Sequence, residues 1–391
     1  MSCVIFGAGK IARGFLGHLL FLSGIDFLFV EKNETLAALI NERGQYTVNI
    51  LGSPEKNCMV RGARALTYTQ KEEIADAVAR ADAVFTAVGG KNLRDVAPFL
   101  ADGIRARAQI GGDALNVITC ENWKQPASVL KEAATELLEG AALEFCREKI
   151  GFTEAVVMRS AIEPDPECLR KDPLAVNVQD YWQLPVDASR LTGPLPPVPE
   201  LKKIEAFEGF LERKFYTYNA ANGTVSYLGA LLGYEHIADA AHDPRILEVL
   251  EGVYQETARA LSAKHHFPLE EQLAFAGTSR AKLQDYNIVD SIERNARDPI
   301  RKLGPDDRLV GSARLAEEYG ILPEHLCIAI AAAIYYTNDA DPFALQLRTL
   351  REREGVDAVL TSVCGIDPSG QLGRLIREKI AMLKERGWIH G

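Results

Sequence analysis

The sequence lacks the cysteine and histidine spacings that mark a disulfide framework or a metal site. Its seven cysteines, at positions 3, 58, 120, 146, 168, 327 and 364, are scattered and odd in number, and no C-x-x-C pair occurs. The seven histidines contain no H-E-x-x-H motif. We therefore expect no bound metal, and we expect reduced cysteines of the kind found in cytoplasmic proteins.

Long hydrophobic runs and an excess of positive charge are also missing. The longest apolar helix candidate, 326–336, is too short to span a bilayer. The first residues lead directly into a predicted strand, without the basic start or cleavage site of a targeting segment. The net charge of -10 argues against nucleic acid or an anionic membrane as a partner. We expect a cytoplasmic protein with a small-molecule substrate. That substrate can still be an anion, because the basic residues around a binding site, and not the net charge of the chain, determine whether it binds anions.

The composition is that of a globular protein, with 47% apolar and 25% charged residues. A chain of 391 residues exceeds the usual size of a single core, so we expect two domains. Prolines at 194, 196, 197 and 199 disfavour a helix and predict an extended linker. We predict a first domain at 1–193, a linker at 194–199 and a second domain at 200–391.

The two halves differ in their secondary-structure pattern. Alternating β and α segments before the linker predict an α/β domain with a parallel sheet and helices on both faces. Helical periodicity after the linker predicts a mostly α-helical domain. Strands are predicted at 3–6, 27–30, 45–51, 61–68, 83–88, 115–120 and 155–158. Helices are predicted after Gly9, ahead of Gly44, and at 71–80, 93–106, 131–149, 200–233, 235–264, 269–282, 312–319, 323–337, 341–353 and 371–387.

The first thirty-odd residues contain the most informative motif. A strand, a G-x-G-x-x-A turn at Gly7, Gly9 and Ala12, a helix, and a second strand that ends on Glu31 follow one another. This is a permitted form of the dinucleotide-binding fingerprint, with the pyrophosphate at the helix N-terminus. An acid at 31 accepts hydrogen bonds from ribose hydroxyls and repels a 2′-phosphate, which favours NAD over NADP. The alternative is a glycine turn in an α/β protein that binds no nucleotide. Lys32, next to Glu31, can weaken the discrimination against NADP.

The residues predicted to contact NAD extend from the turn to the next strand ends. Arg13 is predicted to make a charge-assisted contact with the pyrophosphate. The backbone at the end of the strand at 83–88 is predicted to face the nicotinamide, because open α/β sheets bind ligands at the carboxyl ends of their strands. The predicted cofactor residues are Phe6, Gly7, Ala8, Gly9, Lys10, Ile11, Ala12, Arg13, Glu31, Val88 and Gly89.

A second informative stretch opens the helical half. Lys214, Asn219 and Asn222 fall at roughly 0°, 140° and 80° around an ideal helix, so one face can hold all three. An amine beside two amides suits metal-free alcohol oxidation, because a buried amine can take the hydroxyl proton and amides can donate to the alkoxide. The alternative is a surface lysine with two helix asparagines.

A basic segment follows at 294–302, with Arg294, Arg297, Arg301 and Lys302. Guanidinium groups suit phosphate oxygens, so these four residues are candidates for binding a phosphorylated substrate. The alternative is a solvated charged face in which they pair with Glu293, Asp306 and Asp307.

Five segments together resemble one family. FGAGKIARGF, CENW at 120–123, GPLPPVPE, ERKFYTYNAAN and RNARDPIRKLGPDDRLVG occur in this order. The chain resembles the polyol-specific long-chain dehydrogenases, most closely their mannitol-1-phosphate branch, over nearly its whole length. The resemblance implies an NAD-binding Rossmann domain, a helical second domain, a cleft between them, and metal-independent hydride transfer between a sugar alcohol and a ketose. It implies that Lys214 is the general base, and that Asn122 and Asn219 form the oxyanion hole.

Two positions depart from the family pattern. Asn222 stands where the family has a histidine, and Met158 stands where it has an aspartate. Asparagine keeps hydrogen-bonding capacity but does not titrate near neutrality. We therefore keep three hypotheses: a sugar-phosphate dehydrogenase, a related reductase of an unphosphorylated polyol or hexuronate, and an NAD-binding pseudoenzyme or sensor. A monomer or homodimer is expected, since no coiled-coil heptads are present.

Overall fold

The computed structural model describes residues 1–389. It divides into two compact units, Met1–Phe207 and a second that begins at Glu208. The boundary lies after the predicted proline-rich linker, because residues 200–207 belong to the first unit. None of the helices within 1–389 is long and apolar enough to cross a membrane.

The first unit is built on a six-stranded sheet in which every neighbouring pair is parallel. Its strands are β1 (Ser2–Phe6), β2 (Asp26–Glu31), β5 (Ala65–Thr67), β6 (Ala83–Thr86), β7 (Leu115–Thr119) and β8 (Ile150–Glu154). Their order across the sheet is β5-β2-β1-β6-β7-β8. The strand order reverses between β1 and β6, and dinucleotides bind at such a reversal in sheets of this order. The predicted α/β Rossmann-type domain is confirmed.

Helices cover one face of this sheet, and the first two helices with a second sheet cover the other. The helices of the first unit are α1 (His18–Leu22), preceded by a π-helical segment (Ala12–Gly17), α2 (Glu34–Arg43), α3 (Lys71–Arg80), α4 (Leu93–Gln109), α5 (Pro126–Thr135), α6 (Gly140–Lys149) and α7 (Pro166–Lys171). The apolar side chains of β1, β6 and β7 alternate between two buried clusters, one on each face. This two-sided burial explains why the strands are nearly continuous apolar runs.

A four-stranded sheet packs behind the first helix. It contains β3 (Gln45–Leu51), β4 (Cys58–Arg61), β9 (Ala161–Ile162) and β10 (Val176–Gln179), in the order β4-β3-β10-β9. Gly14 permits the contact, because a Cβ there would lie 2.6 Å from Cγ1 of Val178. Two further strands, β11 (Leu184–Asp187) and β12 (Leu201–Ile204), pair in parallel. Short 3₁₀ turns lie at Pro54–Lys56, Gly90–Asn92 and Ala188–Arg190.

The second unit is helical, as predicted. Its helices are α8 (Phe207–Lys214), a π-helical segment (Phe215–Asn219), α9 (Ala220–Leu231), α10 (Ile237–His242), α11 (Pro244–His265), α12 (Leu269–Leu283), α13 (Ile292–Ala296), α14 (Pro299–Lys302), α15 (Val310–Glu318), α16 (Glu324–Ile334), α17 (Pro342–Glu354), α18 (Val356–Ser362) and α19 (Gln371–Glu385). The core centres on α16, which is buried all round. A helix that is hydrophobic on every side has to be surrounded by others.

Several predicted elements are wrong in type or extent. The helix expected at 131–149 is two helices, α5 and α6, separated near Gly140, whose φ of +53° is outside the helical region. The strand expected at 155–158 lies earlier in the chain, as β8 at Ile150–Glu154, where a fully buried stretch pairs with β7. The helix expected at 200–233 begins only at Phe207, because β12 takes the residues before it. The short helices α13, α14 and α18 were not predicted.

Candidate functional site

The glycine turn after β1 lies at the strand reversal of the sheet. Gly7 has a φ of +92°, and a Cβ there would lie 2.6 Å from the carbonyl oxygen of Ala87. Only glycine fits between the ends of β1 and β6 in this conformation. A Cβ on Gly9 would meet no atom within 4 Å, so the backbone there faces open space. This open turn at a helix N-terminus fits the pyrophosphate of a dinucleotide.

Glu31, at the end of β2, lies against the same turn. Its Oε2 accepts a hydrogen bond from the backbone N–H of Ala8 at 2.6 Å, and its Oε1 accepts one from the backbone N–H of Asn33 at 2.8 Å. The second bond tethers the carboxylate to the start of α2, which Asn33 caps. The acid is thus held beside the turn, where an adenosine ribose binds in this type of domain.

The structure corrects the predicted role of Arg13. Its side chain is buried, Nε donates to the carbonyl oxygen of Leu174 at 3.2 Å, and Nη1 donates to the carbonyl oxygen of Ala8. These bonds direct the guanidinium into the domain, where it joins the turn to the segment before β10. Lys10 is exposed and pairs with Glu163 at 3.1 Å. Ile11 is half-buried and Ala12 is fully buried where the helix packs on the sheet.

The ends of β6 and β7 are joined by Glu121, which sequence reasoning did not single out. Its Oε2 accepts a hydrogen bond from the Thr86 hydroxyl at 2.7 Å, and its Oε1 accepts one from the backbone N–H of Val88 at 3.0 Å. Burial raises the pKa of the Glu121 carboxyl. The side chain of Asn92 donates to the carbonyl oxygen of Val88 at 2.7 Å. Both the N–H and the carbonyl of Val88 are therefore held by side-chain hydrogen bonds. The position of Glu121 directly after a predicted strand was the signal in the sequence that could have identified it.

Asn122 follows Glu121 and is exposed at the carboxyl end of β7. This is the edge of the sheet at which ligands bind in open α/β domains. Gly89, at the end of β6, is also exposed and has a φ of +82°. Both positions agree with a location at the ligand-binding edge of the first unit.

In the second unit, Lys214 ends α8 where the helix changes from α to π geometry. The π-helical segment is Phe215–Asn219. Lys214 directly precedes it, and Asn219 is its last residue. The rotation of 100° per residue assumed from the sequence does not hold across this segment. Isolated π turns are frequent at functional sites. Burial, and then the charge of Arg308, lower the pKa of the Lys214 ammonium.

Arg308 is the main residue of this region that sequence reasoning missed. Its guanidinium lies over the ring of Phe215 at 5.5 Å and pairs with Asp307 at 2.9 Å, and its side chain is 13% exposed. A Cβ on Gly223 would lie 3.4 Å from Cδ of Arg308, so the small residue on α9 makes room for this side chain. Arg308 belongs to the motif at 294–311, which was the signal available in the sequence.

Asn222 is linked to Lys302 through one intermediate residue. Nδ2 of Asn222 donates to Oδ1 of Asn295 at 3.0 Å, and the backbone carbonyl of Asn295 accepts a bond from the ammonium of Lys302. Lys302 is buried, and burial, followed by the charge of Arg308, lowers its pKa to about 7. The hydroxyl of Tyr227 is buried without a hydrogen-bond partner within residues 1–389. Burial raises the pKa of Tyr227, and the charge of Arg308 opposes this rise.

The four predicted phosphate-binding residues do not form one cluster. Arg294 has a side chain that is 72% exposed and pairs with Asp290 at 2.8 Å. Arg301 is 55% exposed and pairs with Asp298 and Asp307. Arg297 is exposed. For Arg294 and Arg301 the alternative of a solvated, ion-paired face describes the structure, but of the three partners expected only Asp307 pairs with one of them. Only Lys302 is buried.

Met158 lies in the first unit, buried, with its sulfur 3.3 Å from the hydroxyl of Tyr181. No group of three or more His, Cys, Asp or Glu side chains within residues 1–389 could hold a metal ion.

Comparison with known proteins places this geometry in a family. Residues 1–200 match the family model of the mannitol dehydrogenase Rossmann domain, and residues 206–371 match that of the mannitol dehydrogenase C-terminal domain. The chain is 33% identical to a mannitol-1-phosphate 5-dehydrogenase of Bacillus licheniformis, over 96% of this chain and 98% of that one. It is also 33% identical to a mannitol-1-phosphate 5-dehydrogenase of Geobacillus thermodenitrificans, over 98% of this chain and 100% of that one.

Solved structures resemble the chain in fold. A substrate-free D-sorbitol dehydrogenase has a TM-score of 0.82 at 15% identity, over 99% of this chain and 93% of that one. A Pseudomonas fluorescens mannitol 2-dehydrogenase in a ternary complex with NAD and D-mannitol has a TM-score of 0.70 at 14% identity, over 99% of this chain and 92% of that one. With both family models matched across most of its length and two relatives above 30% identity, the chain belongs to the mannitol dehydrogenase family.

Proposed function

We propose that this protein is an NAD-dependent oxidoreductase that interconverts a sugar-alcohol phosphate and a ketose phosphate, of the mannitol 1-phosphate and fructose 6-phosphate type. The observation that carries the proposal is the half-buried Lys214 next to the π-helical segment, whose pKa is lowered by desolvation and by the charge of Arg308, in a helical unit that matches the family's C-terminal domain. Near full-length similarity to two mannitol-1-phosphate 5-dehydrogenases supports the substrate class.

The cofactor assignment is supported by the first unit. NAD, when bound, supplies the acceptor for the hydride of the alcohol carbon. The open backbone at Gly9 suits the pyrophosphate, and the carboxylate of Glu31 suits the two hydroxyls of an unphosphorylated adenosine ribose. Val88 and Gly89 are proposed to lie beside the nicotinamide half, since they follow a strand on the other side of the order reversal.

Lys214 is proposed as the general base of alcohol oxidation. Burial and the charge of Arg308 both favour the neutral amine, which is the form that can accept the hydroxyl proton. As the proton moves to Nζ, the C–H bond gives up its hydride and the carbon–oxygen double bond forms. In ketose reduction the ammonium of Lys214 returns the proton. No metal is needed in this scheme, because amides can stabilise the oxyanion.

Asn122 and Asn219 are proposed as those amides. A side-chain N–H aimed at a developing alkoxide stabilises it without being consumed, and removing one such donor typically costs about 10²–10³ in kcat. Asn222 is proposed to act at one remove from the substrate, through its bond to Asn295. Asn222 thus keeps a hydrogen-bonding side chain at the position where the resemblance implies a histidine.

The phosphate of the substrate is proposed to bind Lys302 and Arg308. Both side chains are buried or nearly so, and the unpaired hydroxyl of Tyr227 adds a donor near Arg308. A buried cation interacts more strongly with a phosphate than an exposed one, because water screens it less. Arg294, Arg297 and Arg301 are exposed and contribute at most to the approach of the anion.

Oxidation of NADH by the purified protein tests this function. Fructose 6-phosphate, fructose and fructuronate are offered separately, and the absorbance of NADH is followed. Turnover with fructose 6-phosphate alone is expected. Turnover with fructose or fructuronate instead would assign the unphosphorylated or uronate substrate and remove the phosphate role from Lys302 and Arg308. Binding of NADH without turnover of any of the three would contradict the enzyme and favour a sensor.

A further inference from the structure

Trp123 is a large aromatic residue left half-exposed at the ligand-binding edge of the first unit. It follows Asn122 after β7 and is 49% exposed. A Cβ on Gly90 would lie 2.2 Å from Cδ2 and 2.3 Å from Cγ of its indole. The indole therefore lies directly on the bare Cα of Gly90, and it reaches from the end of β7 to the end of β6. Any side chain at position 90 would displace it.

The surface beneath the indole is held in place. The hydrogen bonds of Glu121 and Asn92 fix both peptide groups of Val88, and Gly90 begins a 3₁₀ turn two residues later. The neighbours of Trp123 in sequence, Asn122, Lys124 and Gln125, are polar and exposed. The chain thus presents one apolar ring, on a fixed support, among polar groups at the edge where a ligand is expected.

The order of the strands indicates which part of a dinucleotide would reach this ring. A domain of this strand order binds one mononucleotide half of the ligand with each half of its sheet. Glu31, after β2, marks the adenosine side, and Gly7 and Gly9, after β1, mark the pyrophosphate. The ends of β6 and β7 therefore belong to the nicotinamide side.

We propose that the indole of Trp123, seated on Gly90, is a contact surface for the nicotinamide ring of the cofactor. A planar pyridine ring can stack on the indole face. The oxidised ring is also a cation, and tryptophan is the aromatic side chain that attracts cations most strongly. The proposal rests on the NAD-binding function proposed above and adds to it the residue that recognises the nicotinamide end.

Calorimetric titration of NAD⁺ and of ADP-ribose into Trp123 variants tests this contact. ADP-ribose carries the adenosine, the pyrophosphate and the second ribose but no nicotinamide. We expect Trp123→Ala to raise the Kd of NAD⁺ about tenfold, the scale of one lost aromatic or cation–π contact, and to leave the Kd of ADP-ribose within about twofold. Trp123→Phe keeps a ring and is expected to lose less.

Gly90→Ala supplies a second variant, because it moves the indole without removing it. The same selective loss of NAD⁺ affinity is expected. Leu137→Ala is the matched control, since Leu137 is another exposed apolar residue of this unit, just beyond the far end of α5.

Three results would overturn the contact. Equal losses of NAD⁺ and ADP-ribose affinity would make Trp123 a purely structural residue of the edge. Unchanged affinity for both, with or without a raised KM for the sugar, would remove the nicotinamide from its surface. Failure of the unaltered protein to bind either ligand would overturn the NAD site itself, and this proposal with it.

Discussion

The carboxylate of Glu31 accepts a hydrogen bond from the backbone N–H of Ala8 at 2.6 Å, across 23 residues of sequence. The bond joins the end of β2 to the glycine turn after β1. The acid proposed to bind the ribose and the backbone proposed to approach the pyrophosphate are therefore joined directly to each other. A second bond, from the N–H of Asn33, fixes the orientation of the carboxylate.

Glu31→Ala is expected to weaken discrimination against NADPH. Removing the carboxylate removes both the ribose acceptor and the repulsion of a 2′-phosphate. The ratio of kcat/KM for NADH to that for NADPH should fall at least tenfold, as measured by steady-state kinetics with each cofactor. Asp26→Ala, at the exposed start of the same strand, is the control and should leave the ratio unchanged. An unchanged ratio in Glu31→Ala would separate this acid from the ribose.

Arg308→Met is expected to shift the pH profile of alcohol oxidation. Arg308 helps to lower the pKa of Lys214, so its loss should raise that pKa towards the ordinary value. A base with a higher pKa is neutral only at higher pH, and the acid limb of kcat/KM should move to higher pH. Arg308→Lys keeps the charge and should keep the limb in place. A limb that does not move in Arg308→Met would contradict the coupling of these two residues.

Lys302 is expected to make binding of a phosphorylated sugar pH-dependent. With its pKa near 7, the side chain is charged below that pH and loses its charge above it. The KM for fructose 6-phosphate should therefore rise as the pH increases beyond about 7. Lys302→Arg should remove the rise, since arginine stays protonated. Arg294→Met changes an exposed, ion-paired residue and should reproduce the unaltered profile; an equal effect of both substitutions would refute the assignment.

The pair of Glu256 and His325 is expected to stabilise the second unit mainly at low pH. Glu256 accepts hydrogen bonds from the ring Nδ1 of His325 at 2.7 Å and from its backbone N–H at 2.8 Å, and the side-chain bond raises the pKa of His325. A raised pKa in the folded state stabilises the protein below the unfolded value, about 6.5, and this contribution is lost as the pH rises through the folded value.

His325→Gln should accordingly lower the melting temperature more at pH 5.5 than at pH 9. The effect should be small, because the ring is 37% exposed and solvent screens the pair. Thermal unfolding followed by circular dichroism at the two pH values measures it, with His236→Gln as the control. A larger destabilisation at pH 9 would reverse the sign and rule out the charged pair.

Local patterns in the sequence were sufficient to predict the elements that form the ligand-binding edge of the first unit. The glycines at 7 and 9, the acid at 31 and the alternation of β and α segments each depend on neighbours in sequence, and the structure has the turn, the strand end and the parallel sheet that they predict. The helices at 71–80 and 269–282 were also predicted within one residue. For the first of them the apolar residues recur clearly on one side of the helix, where Ile74 and Val78 are buried.

Tertiary structure decided which charged residues are buried. Arg294, Arg301, Lys302 and Arg308 look alike in the sequence, but Arg294 and Arg301 lie at the surface in ion pairs, and Arg308 packs against Phe215 and Gly223. The side chain of Arg13 points into the first unit because it donates hydrogen bonds to the carbonyl oxygens of Ala8 and Leu174, and Leu174 is distant from it in sequence. Periodicity describes one element at a time, whereas burial depends on elements that are distant in sequence. For this protein the sequence alone determined the family resemblance, the dinucleotide turn and the candidate base. Long-range packing decided which cations of the second unit are buried and that the indole of Trp123 lies on Gly90 in the first unit.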